Sequence, residues 1–429
     1  MSHTHTIEYG GHLKGVVRVP GDKSITHRAW IFNALADGVA EISGGLESED
    51  TEATRRALRQ LGIHMTRGSV HGADGTLQSP AQPIDCGNSG TTARLLMGAL
   101  AGTGARATLT GDSSLSARPM GRVTGPLAEM GAEFTDAARQ LPVTIQGASL
   151  TNIQFRAPVP SAQVKTALLL AGLKGSGKLT YEEQSCSRDH SERLLRSMGA
   201  VFEDTTGEDG VHRIVLEGPQ RLSARDVQVP GDISSAAFFL VAATVLPGSD
   251  LLIEGVGVNP TRTGILDSLN QMGARIDILR TRDASGEPVA DLRVRHASLS
   301  GIDISARDIP RIIDELPVLA VAMAHAAGPS TVYGAGELRV KESDRLAGIV
   351  EIVEGLGSRV SHISDGYRIE GSRTPGPEAV RIDASGDHRI AMAALVAGLA
   401  GAGQTTVVGV EAISSSYPDF ISTLEGLRV

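Results

Sequence analysis

The sequence predicts an α/β (α+β) chain of two similar domains, each made of three repeated strand-helix-strand-helix units with buried helices. Three observations predict this. A large apolar residue followed by Gly closes an amphipathic helical stretch at Leu61-Gly62, Met130-Gly131, Met198-Gly199, Met272-Gly273 and Leu356-Gly357, in steps of 69, 68, 74 and 84 residues. Self-similarity at such a period marks a fold assembled from one recurring supersecondary unit. Each unit also carries a second helical stretch, rich in Ala, Leu and Val and without a polar face, and a helix apolar all round is a buried helix. Finally, Arg18-Val-Pro-Gly-Asp-Lys-Ser returns as Gln228-Val-Pro-Gly-Asp-Ile-Ser, 210 residues later in a chain of 429.

The apolar stretches run through Arg28–Leu35, Thr91–Leu100, Ala162–Leu173, Ser234–Leu246, Glu315–Ala327 and Arg389–Leu399. Gly follows most of them, which suggests left-handed caps. Alternating segments such as Thr108-Leu-Thr and Thr405-Thr-Val-Val come next and read as strands. The final stretch Tyr417–Leu427 supplies a sixth amphipathic copy at the C-terminus. A strand over about residues 7–18 precedes the first repeat and is expected to join the second domain. The expected domains are therefore 20–229, and 1–19 with 230–429. A cleft between two such domains is a usual ligand site.

Composition excludes several function classes. Hydrophobic residues make up 41% and charged residues 21%, so a folded chain is expected rather than a disordered one. A net charge of −9 and an aromatic content of 3% speak against a nucleic-acid-coating role. The apolar run Ile390–Gly403 falls short of the roughly 18 residues that span a bilayer. No secretory signal pattern opens the chain. Cys86 and Cys186 form no disulfide framework and are expected to be reduced, buried and cytosolic. His3 and His5 are expected in a frayed terminus. Glycine, at 51 residues, is enriched, which fits tight turns and close backbone approach to ligands.

The chemistry-bearing stretches sit at helix beginnings. Gly172-Leu-Lys-Gly-Ser-Gly177-Lys178-Leu179 nearly matches a phosphate-binding loop, but Leu179 stands where Ser or Thr must be, and the segment joins helix to strand in the wrong order. It reads as a turn. Neither His-x-x-x-His nor Cys-x-x-Cys occurs, so a zinc site has no motif. Pro20-Gly-Asp-Lys23-Ser24-Ile-Thr-His-Arg28 places cations in the first turns of an apolar helix. Asp85-Cys-Gly-Asn88-Ser89-Gly90-Thr91-Thr-Ala-Arg94 adds glycines and hydroxyl donors, and Ser161-Ala162-Gln163-Val-Lys165 opens the third apolar helix. Asp314-Glu315 opens the fifth and Gly386-Asp387-His388-Arg389 the sixth. Val340-Lys341-Glu342-Ser343-Asp344-Arg345 reads as the start of an amphipathic helix, with Lys341 and Arg345 on one face. Any one of these motifs reads equally as a solvated or capped helix start. Their recurrence at equivalent positions points instead to a cationic, glycine-lined cleft for a small, multiply anionic substrate.

The pieces PGDKSITHRA, GNSGTTAR, ARPMGRV, SAQVKTALLLAGL, VPGDISSAAFFL, RVKESDRL, GDHRIAMA and SYPDF, in this order, resemble the 5-enolpyruvylshikimate-3-phosphate synthase (3-phosphoshikimate 1-carboxyvinyltransferase) family over nearly the whole chain. SRDHSERL, NPTRTGILD and IPRIIDELPVLA resemble its class II branch. The resemblance implies an enolpyruvyl transferase-like inside-out barrel fold. It implies transfer of the carboxyvinyl group of phosphoenolpyruvate to the 5-hydroxyl of shikimate 3-phosphate by addition and elimination, with release of phosphate. It implies no cofactor and no metal, no nucleic-acid or membrane partner, and a cytoplasmic monomer that is a glyphosate target.

Site residues follow from the same resemblance. Lys23, Ser24 and Arg28 would hold shikimate 3-phosphate, and Ser161, Ala162, Gln163, Ser187 and Arg188 its phosphate. Lys23, Gln163, Gly90, Arg118, Arg345 and Arg389 would hold phosphoenolpyruvate, since arginine suits bidentate contacts to carboxylate and phosphate. Asp314 would accept the hydroxyl proton. Lys341 would contact shikimate 3-phosphate and share proton transfer, Glu342 would exchange a proton at the methylene carbon, and Asn88 and His388 are secondary candidates. Ser415 stands where class I members carry Lys, and Glu337 where they carry Asn. The rival reading, a UDP-N-acetylglucosamine enolpyruvyl transferase, needs a reactive Cys in its loop, and Ala117-Arg118-Pro119-Met120-Gly121 has none. A non-catalytic anion-binding protein would not need Asp314, Lys341 and Glu342.

Overall fold

The computed structural model describes residues 3–135, 139–371, 379–401 and 403–429. They divide into two compact units. The first comprises Gly21–Val229 with Ala284–Glu287, and the second comprises Met1–Pro20, Pro230–Asp283 and Pro288–Val429.

In the first unit, α1 (Lys23–Leu35) and α2 (Glu49–Gln60) belong to one repeat, and α3 (Gly90–Ala101), the short α4 (Ser113–Ala117) and α5 (Gly121–Met130) to the next. The third holds α6 (Ala162–Lys174) and α7 (His190–Ser197). Helices α1, α3 and α6 are the apolar ones, and they form the core as expected. Every residue of α1 from Ile25 to Leu35 is buried, as is every residue of α6 from Val164 to Leu173. Each starts on a side-chain cap: Asp22 accepts from the Ile25 amide, Ser89 from Thr92 and Ser161 from Val164. Helices α3 and α6 meet at Gly98, where a Cβ would lie 2.2 Å from the Ala167 carbonyl oxygen.

The sheets lie around these helices, and the third repeat shows the pattern. Strand Ile153–Arg156 runs parallel to Lys178–Glu183, with α6 as the crossover. Lys178–Glu183 then pairs antiparallel with His212–Glu217, which pairs antiparallel with Phe202–Thr206. A parallel pair needs a long crossover, and the apolar helix supplies it. Val227–Gln228, at the end of the third repeat, runs parallel to Val39–Ser43 in the first, so the last strand closes on the first sheet.

The second unit repeats this plan with α8 (Ile233–Val245), α9 (Gly264–Gln271), α10 (Leu316–Ala324), α11 (Arg345–Gly355), α12 (His388–Ala400) and α13 (Phe420–Leu427). All of α10 is buried. The start of the chain forms two strands rather than one over 7–18. Thr4–Glu8 pairs antiparallel with Gln404–Val408, and Lys14–Val17 runs parallel to Asp250–Gly257. Gly10 and Gly11, at φ +99° and +82°, turn the chain between them. His5 thus lies in a paired strand, its Nε2 3.2 Å from Glu425, and not in a frayed end. Phe238, Phe239, Tyr417 and Phe420 pack at ring separations of 5.5–6.0 Å in this core.

Left-handed glycines follow three of the core helices, as expected: Gly38, Gly248 and Gly328, after α1, α8 and α10, have φ of +108°, +88° and +88°. Gly102, Gly175 and Gly401, after the other three, have φ of −98°, −68° and −73°. Gly62, Gly131, Gly199, Gly273 and Gly357, after the amphipathic helices, have φ of +90°, +114°, +95°, +98° and +79°. An amphipathic helix here must reverse sharply into a hairpin strand, and a left-handed residue turns the chain while satisfying the last carbonyls. The stretch 172–179 is a helix-to-strand turn between α6 and Lys178–Glu183, as expected. Cys86 is buried, which pushes its thiol up to about 12, whereas Cys186 is only half-buried against expectation. No helix among the described residues is long and apolar enough to cross a membrane.

Candidate active site

In the first unit the cations named from the sequence gather at the beginnings of α1, α3 and α6. Lys23 Nζ lies 2.9 Å from Asp50 Oδ2. Arg28 is buried. It donates to the Ser24 carbonyl oxygen at 2.9 Å, to Ser191 Oγ at 2.8 Å and to Thr166 Oγ1 at 3.0 Å. Arg188 Nη1 reaches Ser24 Oγ at 3.5 Å. Ser187 is buried, and both its amide and its hydroxyl donate to Glu183.

A second group joins α3 to α6. Arg94 Nη1 donates to Gln163 Oε1 at 2.7 Å, and Gln163 Nε2 donates to Thr91 Oγ1 at 2.9 Å. Arg118 donates to Asn88 Oδ1 and to Ser114 Oγ at 3.2 Å, while Asn88 Nδ2 donates to Asp112 at 2.7 Å. Gly90 is the first residue of α3. A Cβ there would lie 2.8 Å from Arg94 Nη1 and 3.5 Å from Arg118 Nη1. Ser161 caps α6 and Ala162 opens it.

In the second unit Arg345 is a hub. Its fully buried guanidinium meets Asp387 at 2.8 Å, Asp314 at 3.0 Å and Glu342 at 2.5 Å. Burial alone would lower its pKa, but the charges of Asp387, Glu342 and Asp314 outweigh that and raise it. Arg389 donates to the Asp314 carbonyl oxygen at 3.1 Å and places Nη2 3.7 Å from Asp314 Oδ2. Asp387 caps α12 and accepts from the Arg389 amide at 2.9 Å, next to the buried His388. Lys341 is half-buried; desolvation lowers its pKa against the pull of Asp314.

One local expectation fails. Lys341 and Arg345 do not share a helix face, because Lys341 is extended after the 3-10 turn Gly336–Val340, and α11 begins only at Arg345. Asp344 decides this: its carboxylate accepts from the Leu346 and Ala347 amides and starts the helix four residues later than Lys341. Ser415 ends a 3-10 turn, its hydroxyl donating to Ala412.

Other residues support these groups: Asp50 and Asp112 were not named from the sequence, and Asp387 and Glu315 were named only as part of helix starts. Asp50 partners Lys23, Asp112 orients Asn88, and Asp387 anchors Arg345. Glu315, fully buried, accepts from Ser234 Oγ, and Arg262 lies 3.7 Å from Glu315 and 3.3 Å from Asp232. Charged residues flanking the apolar helices were the available signal for Asp387 and Glu315. Nothing local marks Asp50 or Asp112, whose partners lie 27 and 24 residues away.

Two units of three strand-helix repeats, with arginines and carboxylates gathered at their core helices, define the enolpyruvyl-transferase class of fold. The enolpyruvyl transferase NikO from Streptomyces tendae superposes with a TM-score of 0.77 at 21% identity, covering 98% of this chain and 96% of its own, a likeness of fold alone. The chain belongs to the EPSP synthase (3-phosphoshikimate 1-carboxyvinyltransferase) family, whose model matches residues 7–424. The 3-phosphoshikimate 1-carboxyvinyltransferase of Citrifermentans bemidjiense is 46% identical over 436 aligned positions, covering 99% of both chains. The EPSP synthase structure from Acinetobacter baumannii superposes with a TM-score of 0.86 at 39% identity, covering 100% of this chain and 98% of its own.

Proposed function

We propose that this protein transfers the carboxyvinyl group of phosphoenolpyruvate to the 5-hydroxyl of shikimate 3-phosphate and releases phosphate, in chorismate and aromatic amino-acid biosynthesis. One observation carries the reading: in a chain that matches the family over 7–424, Asp314 stands with Arg345 at 3.0 Å and Arg389 at 3.7 Å. A carboxylate placed among cations can take a hydroxyl proton beside an anionic donor substrate.

Asp314 accepts the 5-hydroxyl proton as that oxygen attacks C2 of phosphoenolpyruvate. Glu342 or Lys341 gives the methylene carbon its proton, and burial, by lowering the pKa of Lys341, makes its ammonium a readier proton donor. Loss of a proton and of phosphate from the tetrahedral intermediate completes the reaction. Lys23, Gly90, Arg118, Gln163, Arg345 and Arg389 hold phosphoenolpyruvate. Lys23, Ser24, Arg28, Ser161, Ala162, Gln163, Ser187, Arg188 and Lys341 hold shikimate 3-phosphate, with Asn88 and His388 in support. The enzyme acts as a cytoplasmic monomer without a cofactor.

The test is phosphate release by the purified protein. Release is expected only with both substrates together, and at an unchanged rate in excess chelator. Release with UDP-N-acetylglucosamine in place of shikimate 3-phosphate would move the chain to the rival activity. Binding of both substrates without release would leave a non-catalytic anion-binding protein.

A further inference from the structure

A buried charge network lies against the segment that carries Ser187 and Arg188. Lys165, the fourth residue of α6, is fully buried among apolar neighbours. Its ammonium lies 3.0 Å from Glu183 Oε1 and 2.7 Å from Glu192 Oε1, and it donates to the Ser187 carbonyl oxygen at 3.1 Å. Glu183 Oε1 accepts from the Ser187 amide at 2.8 Å and from its hydroxyl at 2.9 Å, and Oε2 accepts from the Tyr181 hydroxyl at 3.1 Å. His212 adds contacts of 3.3 Å to Glu183 and 2.6 Å to Asp204.

The fold does not require charge at this point. The fourth residues of the other core helices are Thr26, Ala93, Ala236, Leu319 and Ala391. A buried ion pair adds little net stability over an apolar pair of the same shape. Nor is a metal needed. Glu183, Cys186 and His212 bring ligand atoms within 4.8 Å of one another, a donor set that suits a soft divalent cation. The Lys165 ammonium, 3.0 Å from Glu183 Oε1, already supplies the positive charge from the chain itself.

The network grips one residue from both sides, with the Ser187 amide on Glu183 and its carbonyl on Lys165. We propose that Glu183 and Lys165 are positioning residues that set Ser187 and Arg188 for the phosphate of the acceptor substrate. This rests on the reading that Ser187 and Arg188 meet that phosphate. A hydrogen bond at each end of one residue leaves its peptide planes little freedom, so the backbone from which the Arg188 side chain projects is held in place. Such preorganisation lowers the ordering cost of binding.

The experiment compares Lys165→Met, Glu183→Gln and their double variant with Arg188→Ala. Calorimetry reads the Kd for shikimate 3-phosphate, steady-state kinetics reads KM for phosphoenolpyruvate at saturating acceptor, and thermal melting checks the fold. Each clamp variant is expected to weaken shikimate 3-phosphate about tenfold, in line with loss of a charge-assisted hydrogen bond, and to leave KM for phosphoenolpyruvate within about twofold. The double variant still leaves Glu192, which also pairs with Lys165, so Glu192→Gln is added to it to give the folded reference if a single variant melts early. The loss in the double variant should fall short of the product of the single losses, because the two residues act on one target. Unchanged shikimate 3-phosphate affinity in the folded clamp variants, with a clear loss in Arg188→Ala, overturns the inference and leaves the site reading standing. No loss in Arg188→Ala overturns the phosphate assignment and the inference with it. Equal losses for both substrates reduce the network to a structural role and overturn the inference.

Discussion

At the scale of single residues, the reading turns on how each charged group is held. Asp314 sits between two guanidinium groups at the start of a buried helix. Asp314→Asn keeps its shape and removes the proton acceptor, so turnover should fall on the order of 10²-fold or more with modest change in shikimate 3-phosphate affinity. Steady-state kinetics of the variant checks this, and wild-type turnover would remove Asp314 from the mechanism. Gly90 matters for what it leaves free. A methyl there meets Arg94 and Arg118, and Arg94 is itself tied to Gln163. Glyphosate is longer than phosphoenolpyruvate, so Gly90→Ala should weaken it more than phosphoenolpyruvate, by roughly 1–3 kcal/mol of overpacking. Competition assays on both proteins decide it, and equal inhibition would sink the steric argument. His212 offers a pH test. Burial alone would lower its pKa, but hydrogen bonds to Asp204, Cys186 and Glu183 push it up to about 11. A raised histidine stabilises the fold fully below its ordinary value near 6.5, and that stability is lost as pH rises towards 11. The Tm of the wild type should therefore fall more steeply from about pH 7 to pH 10 than that of His212→Gln. Parallel slopes in the two proteins would contradict the assigned pairing.

At the scale of elements, helices divide by what they pack against. Core helices carry no polar face because every side meets another helix or a sheet, while α2, α5 and α7 expose one face. Two glycines separate packing from propensity. Gly98 in α3 lies against the α6 backbone, so Gly98→Val should force the helices apart and cost about 3 kcal/mol. Gly426 in α13 has open space where its Cβ would be, so Gly426→Ala should be neutral or stabilise by up to about 1 kcal/mol. Denaturant midpoints at an unchanged slope measure both, and similar effects at the two sites would contradict the packing account. The apolar helices were legible because a helix without a polar face has only one stable environment. The start of α11 was not, because the Asp344 cap outcompeted a helical reading of Lys341.

At the scale of the molecule, each unit has an apolar core of its own. The cluster around Trp30, Leu96 and Leu169 draws only on the first unit, and the cluster around Phe239, Leu319 and Leu395 only on the second. The proposed chemistry nevertheless draws on both, with Lys23, Arg118 and Arg188 from the first and Asp314, Arg345 and Arg389 from the second. The N-terminal strands show how distance in sequence is overridden: Thr4–Glu8 pairs with Gln404–Val408. A strand finds its partner by edge and register, and neither is written in the strand's own residues.

The sequence by itself determined the repeat, the buried helices and the motifs that place the chain in its family. These are local properties, readable from composition, periodicity and short motifs. Tertiary structure alone decided which charges meet. Arg345 joins Asp314 and Asp387 from 31 and 42 residues away, and Lys165 joins Glu183 and the Ser187 carbonyl from 18 and 22. It also kept the glycines after α3, α6 and α12 out of the left-handed region, while those after the amphipathic helices lie in it. A charge can be read one residue at a time. Its partner cannot, because the pair forms only when folding brings two separate elements into one low-dielectric place, where an unpaired ion would cost several kcal/mol.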